Sequence, residues 1–93
     1  MHYEIQLISN KMSFYVYIIG SNHPRKRTYV GWTTDINKRL KAHNTSKGAK
    51  FTRGSHWKLL HKEKLETKSD AMKREIELKK DRVFRSHLRQ NIL

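Results

Sequence analysis

No cysteine occurs in the chain, so neither a disulfide nor a thiolate metal site can brace the fold. At 93 residues that matters, because a chain this short makes one domain and is near the lower limit for burying a core unaided. Long apolar runs are missing too. None approaches the roughly 20 residues that span a bilayer, so no membrane helix is expected. The opening MHYEIQLISNKM lacks the basic region and cleavage site of a secretory signal, which points to a cytoplasmic protein. Acidic side chains are scarce: eight Asp and Glu stand against 21 Lys and Arg, a net charge of +13. Glu4 and Lys11 cancel within the first twelve residues, so the excess belongs entirely to residues 13–93. Such a field draws in polyanions and gives salt-dependent affinity for phosphate backbones. Charge kept only for solubility is the bland alternative. An anionic membrane surface fits less well, because no segment shows a broad face of large apolar residues.

What is present sorts into an extension, residues 1–12, and a domain, residues 13–93. In the extension Tyr3, Ile5 and Leu7 alternate with polar neighbours, as in a short edge strand or a loose leader. Phe14 to Ile19 is a nearly continuous run of aromatic and β-branched residues, which suits a central strand covered on both faces. A polar loop with the only proline leads to a second strand, Thr28 to Trp32, and the two should form an antiparallel hairpin. Tyr15, Tyr17 and Ile19 share one face of the first strand; Tyr29 and Gly31 share one face of the second. Thr34 or Asp35 can cap the following helix. Ile36 and Leu40 mark its buried stripe, Arg39 and His43 border it, and Lys38 and Lys41 point to water. Residues 45–56 read as a loop. Trp57 to Leu65 is a third strand, with Trp57, Leu59 and Leu65 on one face and Lys58, Lys62 and Lys64 on the other. A second helix over 70–81, capped by Thr67 or Ser69, and a short basic helix over 83–93 complete the chain. The fold class is α/β (α+β), a central three-stranded antiparallel sheet flanked by helices.

Several residues admit two readings from pattern alone. Tyr17 and Tyr29 are ordinary strand tyrosines, or phenols set beside an inward Arg and His for proton transfer. Arg39 pairs with Asp35 one turn back, or its planar fork takes two phosphate oxygens. His43 caps the helix C-terminus, or exchanges a proton with Tyr17. Glu75 projects inside the apolar arc of its helix, where a carboxylate needs a partner. The spacing offers Lys79 four residues on, and a metal ion is the other choice. Gly31, in mid-strand, suggests that backbone or substrate comes close there. The loop GAKFTRG, with Lys47 just before it, sets Lys47, Lys50 and Arg53 around Phe51. That suits phosphate contacts with stacking on an unpaired base, or a solvated loop with Phe51 folded into the core. Lys79 and Lys80 extend the basic footprint.

Taken together, Tyr15-Val16-Tyr17, Tyr29-Val30-Gly31, Arg39 with His43, GAKFTRG, and Ala71 to Glu75 with Leu78-Lys79-Lys80 resemble the GIY-YIG nuclease superfamily over about residues 13–82. The likeness is strongest to its small UPF0213 group and to the catalytic domain of Slx1-type structure-specific endonucleases. The first tripeptide departs from Gly-Ile-Tyr, Trp32 stands where some members have lysine, and Asn91 lies too near the end to match their late asparagine. The resemblance implies a GIY-YIG fold and phosphodiester hydrolysis that leaves a 5′-phosphate and a 3′-hydroxyl. It makes Glu75 the ligand of one Mg²⁺ or Mn²⁺, Tyr17 the base, Tyr29 an orienter of water or phosphate, and Arg39 the phosphate clamp. The expected partner is DNA, recognised by shape (branches, flaps or nicks) or through a protein partner, by a chain acting as a monomer. A nucleic-acid-binding module with little or no activity, or a basic RNA-associated protein, is the competing function.

Overall fold

The computed structural model describes residues 12–92. The alternation at Tyr3, Ile5 and Leu7 lies outside them. The elements run β1 (Phe14–Ser21), β2 (Arg27–Thr33), α1 (Ile36–Asn44), a 3₁₀ turn (Lys50–Thr52), β3 (Lys58–Leu65), α2 (Lys68–Lys80) and α3 (Arg82–Arg89). The sheet order is β2-β1-β3, antiparallel throughout. The most apolar strand is thus central, and its two faces belong to different clusters. Val16 and Ile18 pack with Val30, Ala71 and Leu78, flanked by Phe14, Trp32, Leu65, Phe84 and Leu88. Tyr17 and Ile19 pack with Trp57, flanked by Tyr29, Ile36 and Leu40. So α1 covers one face while α2 and α3 cover the other. Each fully buried large aliphatic contributes about 1.5–3 kcal/mol, which is how so short a chain sustains three layers.

Helix starts follow cap chemistry. Asp35 accepts from the Lys38 N–H at 3.0 Å, Thr67 from the Asp70 N–H at 3.0 Å, and Asp81 from the Phe84 N–H at 3.0 Å. Of the two caps offered for each of the first two helices, these are the ones used, and α2 starts at Lys68, ahead of the expected 70. Arg85 of α3 donates to the carbonyls of Leu78 at 3.1 Å and Lys79 at 2.7 Å. Both carbonyls belong to the last turn of α2, and Leu78's also takes the Asp81 N–H at 3.2 Å, so the two helices are locked end to end.

The third strand departs from strict alternation. Ile18 pairs with His61 and Ile19 with Leu59, so Leu60 is an extra residue, a bulge. One inserted residue flips every side chain beyond it. Leu59 therefore lies on the α1 face opposite Ile19, and Leu65 on the α2 face with Phe14; they do not share a face. Lys62 and Lys64 lie beside Tyr17 and Tyr15, and Lys58 on the reverse side beside Gly20. The same shift turns Glu63 and His61 toward α2. There Arg74 grips Glu63 with two bonds, 2.8 and 3.1 Å, while His61 Nε2 stands 2.7 Å from the same carboxylate. The Arg74 guanidinium holds the Glu63 carboxyl below its ordinary pKa. This clamp ties α2 to β3 one residue before Glu75.

Candidate functional site

Tyr17 is where the elements converge. It pairs with Gly31 across the β1–β2 ladder, and its ring lies over that glycine. A Cβ on residue 31 would stand 2.5 Å from the Tyr17 hydroxyl and 2.8 Å from Cζ. The sequence pointed to a close approach at Gly31, and the group that approaches is a phenol rather than backbone.

His43 is fully buried and turned in from α1, with Nε2 2.7 Å from the Tyr17 oxygen and Nδ1 2.8 Å from Thr52 Oγ1. It does not cap its helix; Thr45 Oγ1 serves there, donating to the Lys41 carbonyl at 2.9 Å. A second glycine makes room, since a Cβ on Gly48 would collide with His43 Nδ1. The Tyr29 ring stands edge-on to the imidazole, centroids 5.1 Å apart, and stacks on Phe51 at 6.1 Å.

Electrostatics bring in the other two predicted residues. Burial pushes the Tyr17 hydroxyl up to about 12; the Arg39 guanidinium beside it opposes the rise, and the charges of Tyr29 and Glu75 add to it. Burial, then the charge of Arg39, lowers the pKa of His43, so the imidazole is neutral at neutral pH. Arg39 makes no ion pair with Asp35 among the described residues; Asp35 is used as the cap. Glu75 is 20% exposed and stands 3.8 Å from Lys79, itself 54% exposed. That is a loose surface pair worth little. The Lys79 pair offered by the spacing is thus present but loose, and Glu75 is the more enclosed of its two members.

Among the described residues no group of three or more His, Cys, Asp or Glu gathers. The acid whose charge reaches the Tyr17 hydroxyl is Glu75, a hard oxygen donor, and both nitrogens of His43 are engaged. Such a donor set suits a hard cation that keeps most of its waters and takes its remaining oxygens from phosphate.

The basic loop residues Lys47, Lys50 and Arg53 lie at the surface, as do Lys79 and Lys80 at the end of α2. Phe51 is half buried, 50% exposed, between the two alternatives read from the sequence. Beside it the Arg27 guanidinium lies over two adjoining rings, 4.9 Å from the Phe51 centroid and 5.0 Å from that of Trp57. Arg27 also donates to the His23 carbonyl at 3.1 Å and to the Ser55 hydroxyl. Asn44 closes the loop, accepting from the Trp57 N–H at 2.6 Å and donating to its carbonyl at 3.0 Å. Arg27 and Asn44 were not singled out from sequence, nor Gly48 and Thr52 individually within GAKFTRG, because each acts through a contact distant along the chain that follows no periodicity.

A sequence profile of the GIY-YIG catalytic domain matches residues 13–88. The chain belongs to the GIY-YIG family, a family of nuclease domains, and has its fold. Within it the likeness is to UPF0213 proteins. One from Bacillus velezensis is 43% identical over 72 residues, 76% of this chain and 69% of that one. One from Haloquadratum walsbyi is 42% identical over 66 residues, 70% of this chain and 72% of that one. The solution NMR structure of a UPF0213 protein from Bacillus halodurans matches with a TM-score of 0.50 at 37% identity, covering 83% of this chain and 82% of that one.

Proposed function

We propose that the protein is a divalent-metal-dependent DNA endonuclease, acting as a monomer in the cytoplasm on branched, nicked or flapped DNA in repair or recombination. The observation that supports this most is the 2.7 Å approach of Tyr17 to His43, with Arg39, Tyr29 and Glu75 all acting on the same hydroxyl.

A hydroxyl pushed up to about 12 is not a resting phenolate at neutral pH. Tyr17 therefore works as a relay: its oxygen takes a proton from the attacking water while its own proton passes to neutral His43 Nε2. The water oxygen bonds to phosphorus, the bond to O3′ breaks, and the leaving oxygen takes a proton from solvent. A 5′-phosphate and a 3′-hydroxyl result. Arg39 holds the phosphate through its planar fork and meets the charge that builds on it. Tyr29 orients the water against the His43 ring. Glu75 is the side chain that would hold one Mg²⁺ or Mn²⁺, which when bound supplies positive charge to a phosphate oxygen. Lys47, Lys50, Arg53, Lys79 and Lys80 contact backbone phosphates, which favours recognition of shape over base sequence.

The test is nicking of supercoiled and branched DNA with Mg²⁺ or Mn²⁺ by wild type, Glu75→Ala and Arg39→Ala. Cleavage by wild type, lost in both variants, is expected. Salt-sensitive binding without cleavage would reassign the protein as a nucleic-acid-binding module. Cleavage that survives Glu75→Ala would remove the metal role.

A further inference from the structure

We infer that Thr52 is a positioning residue that dictates which nitrogen of His43 carries the proton. Its hydroxyl oxygen lies 2.8 Å from the Ala49 carbonyl oxygen and 2.8 Å from His43 Nδ1. A carbonyl can only accept, and a hydroxyl has a single proton to give. Thr52 therefore donates to Ala49 and accepts from His43 Nδ1–H. The reverse arrangement would leave two oxygens 2.8 Å apart with no hydrogen between them. A neutral imidazole has one N–H, so Nε2 is left with its lone pair and faces the Tyr17 hydroxyl at 2.7 Å.

The consequence is directional. Tyr17 donates to His43, His43 to Thr52, and Thr52 to Ala49, so every bond in the row points away from the reacting centre. The phenol keeps its oxygen lone pairs for a water and has an acceptor ready for its own proton. In the other tautomer an Nε2–H would point at Tyr17 and the relay would have nowhere to deliver. Tyr17 cannot impose the choice, because a phenol both donates and accepts. Thr52 can, because it is fully buried and held: the Trp57 indole N–H donates to its carbonyl at 2.8 Å.

This inference rests on His43 as the acceptor for Tyr17, and its first test needs neither DNA nor metal. Long-range ¹H–¹⁵N NMR of the histidine rings, with His43 assigned by its loss in His43→Gln, should show a protonated Nδ1 and an unprotonated Nε2 at neutral pH. Thr52→Val keeps the volume and removes the hydroxyl. It should give averaged nitrogen shifts or the Nε2–H form, and lower kcat about 10- to 100-fold with KM little changed, as for other partners that orient a working histidine. Thr52→Ser should restore both. A wild-type His43 protonated on Nε2 overturns the inference, as does an unchanged tautomer in Thr52→Val or an equal loss of kcat in Thr52→Ser. A wild type that cleaves no DNA would count against the proposed function, while the NMR result would still decide the role of Thr52.

Discussion

Gly31 and Tyr17 face each other across the β1–β2 ladder, and the phenol occupies the space a side chain on residue 31 would fill. The glycine is therefore what lets the hydroxyl reach His43. Gly31→Ala sets a Cβ 2.5 Å from the Tyr17 oxygen, so the ring must move. Overpacking of this kind costs about 1–3 kcal/mol, a small loss beside what misplacing a reacting group by an ångström can cost, about 100-fold. Urea unfolding should show modest destabilisation while nicking falls by about two orders of magnitude. Activity that merely tracks stability would mean the ring position does not matter.

The neutral imidazole of His43 makes folding pH-dependent. Its pKa is lowered by burial and by Arg39, so the unfolded chain binds a proton near pH 6.5 that the folded chain refuses until lower pH. Between those two values the unfolded state holds more protons, and stability rises with pH. Full stability from this group is present above about pH 6.5 and is lost as pH falls below it. Unfolding free energies from pH 5 to 8 should slope upward in wild type and less steeply in His43→Gln. Tyr17 behaves oppositely at the alkaline end. Its stabilisation is complete below its ordinary 10.0 and is lost as pH climbs toward about 12.

Tyr17 and His43 also separate what pattern reveals from what it hides. The hairpin, the face shared by Tyr15 and Tyr17, and the inward turn of Arg39 and His43 come from periods of 2 and 3.6, which survive in the sequence. The bulge at Leu60 does not, because a single inserted residue leaves an apolar-polar string that reads equally well in either register. Glu63 and Leu65 were consequently hard to place, and the Arg74 clamp with them. Thr52 and Gly48 act from a loop, where position depends on tertiary contacts such as the Asn44–Trp57 pair.

Glu75 pairs loosely with Lys79, and its charge is the least of those raising the Tyr17 hydroxyl. If the carboxylate holds a cation, Glu75→Gln should weaken Mn²⁺ binding at least about tenfold, the loss of roughly 1.4 kcal/mol of charge interaction. Lys79→Ala removes an exposed partner 3.8 Å away and should leave Mn²⁺ affinity within about twofold, with cleavage falling only by what one lost phosphate contact costs. Titration calorimetry reads the first, nicking the second. Equal effects from both variants would identify the pair, not the ion, as the purpose of Glu75.

The Arg74–Glu63 clamp predicts a stability effect remote from the Tyr17 hydroxyl. Arg74→Ala strips two bonds from a carboxylate that is three-quarters enclosed, with a side-chain exposure of 26%. Partial exposure reduces the penalty, and about 1–2 kcal/mol is expected. Because Glu63 titrates below its ordinary value of 4.5, its contribution is present above that pH and lost on further acidification. The wild-type advantage over Arg74→Ala should therefore shrink between pH 5 and pH 3 in urea titrations. An advantage constant with pH would assign the effect to packing of the Arg74 stem.

Phe51 and its flanking cations divide the work of binding in a way that salt can separate. Lys50 and Arg53 are exposed on the same turn, so each should act as a phosphate contact. Removing either ought to lower the slope of log affinity against log salt by about one, with the same loss on every DNA. Phe51 carries no charge. Its ring packs with Tyr29 and Arg27 and stays half exposed, where a base that is not paired can reach it. Phe51→Ala should therefore keep the salt slope, cost about 1–3 kcal/mol on flapped or single-stranded DNA, and leave intact duplex nearly unaffected. Fluorescence anisotropy on matched duplex and flap substrates at several salt concentrations measures all three. An equal loss on both substrates would show that the ring only supports the loop, and recognition of unpaired bases would have to be sought elsewhere on the basic surface.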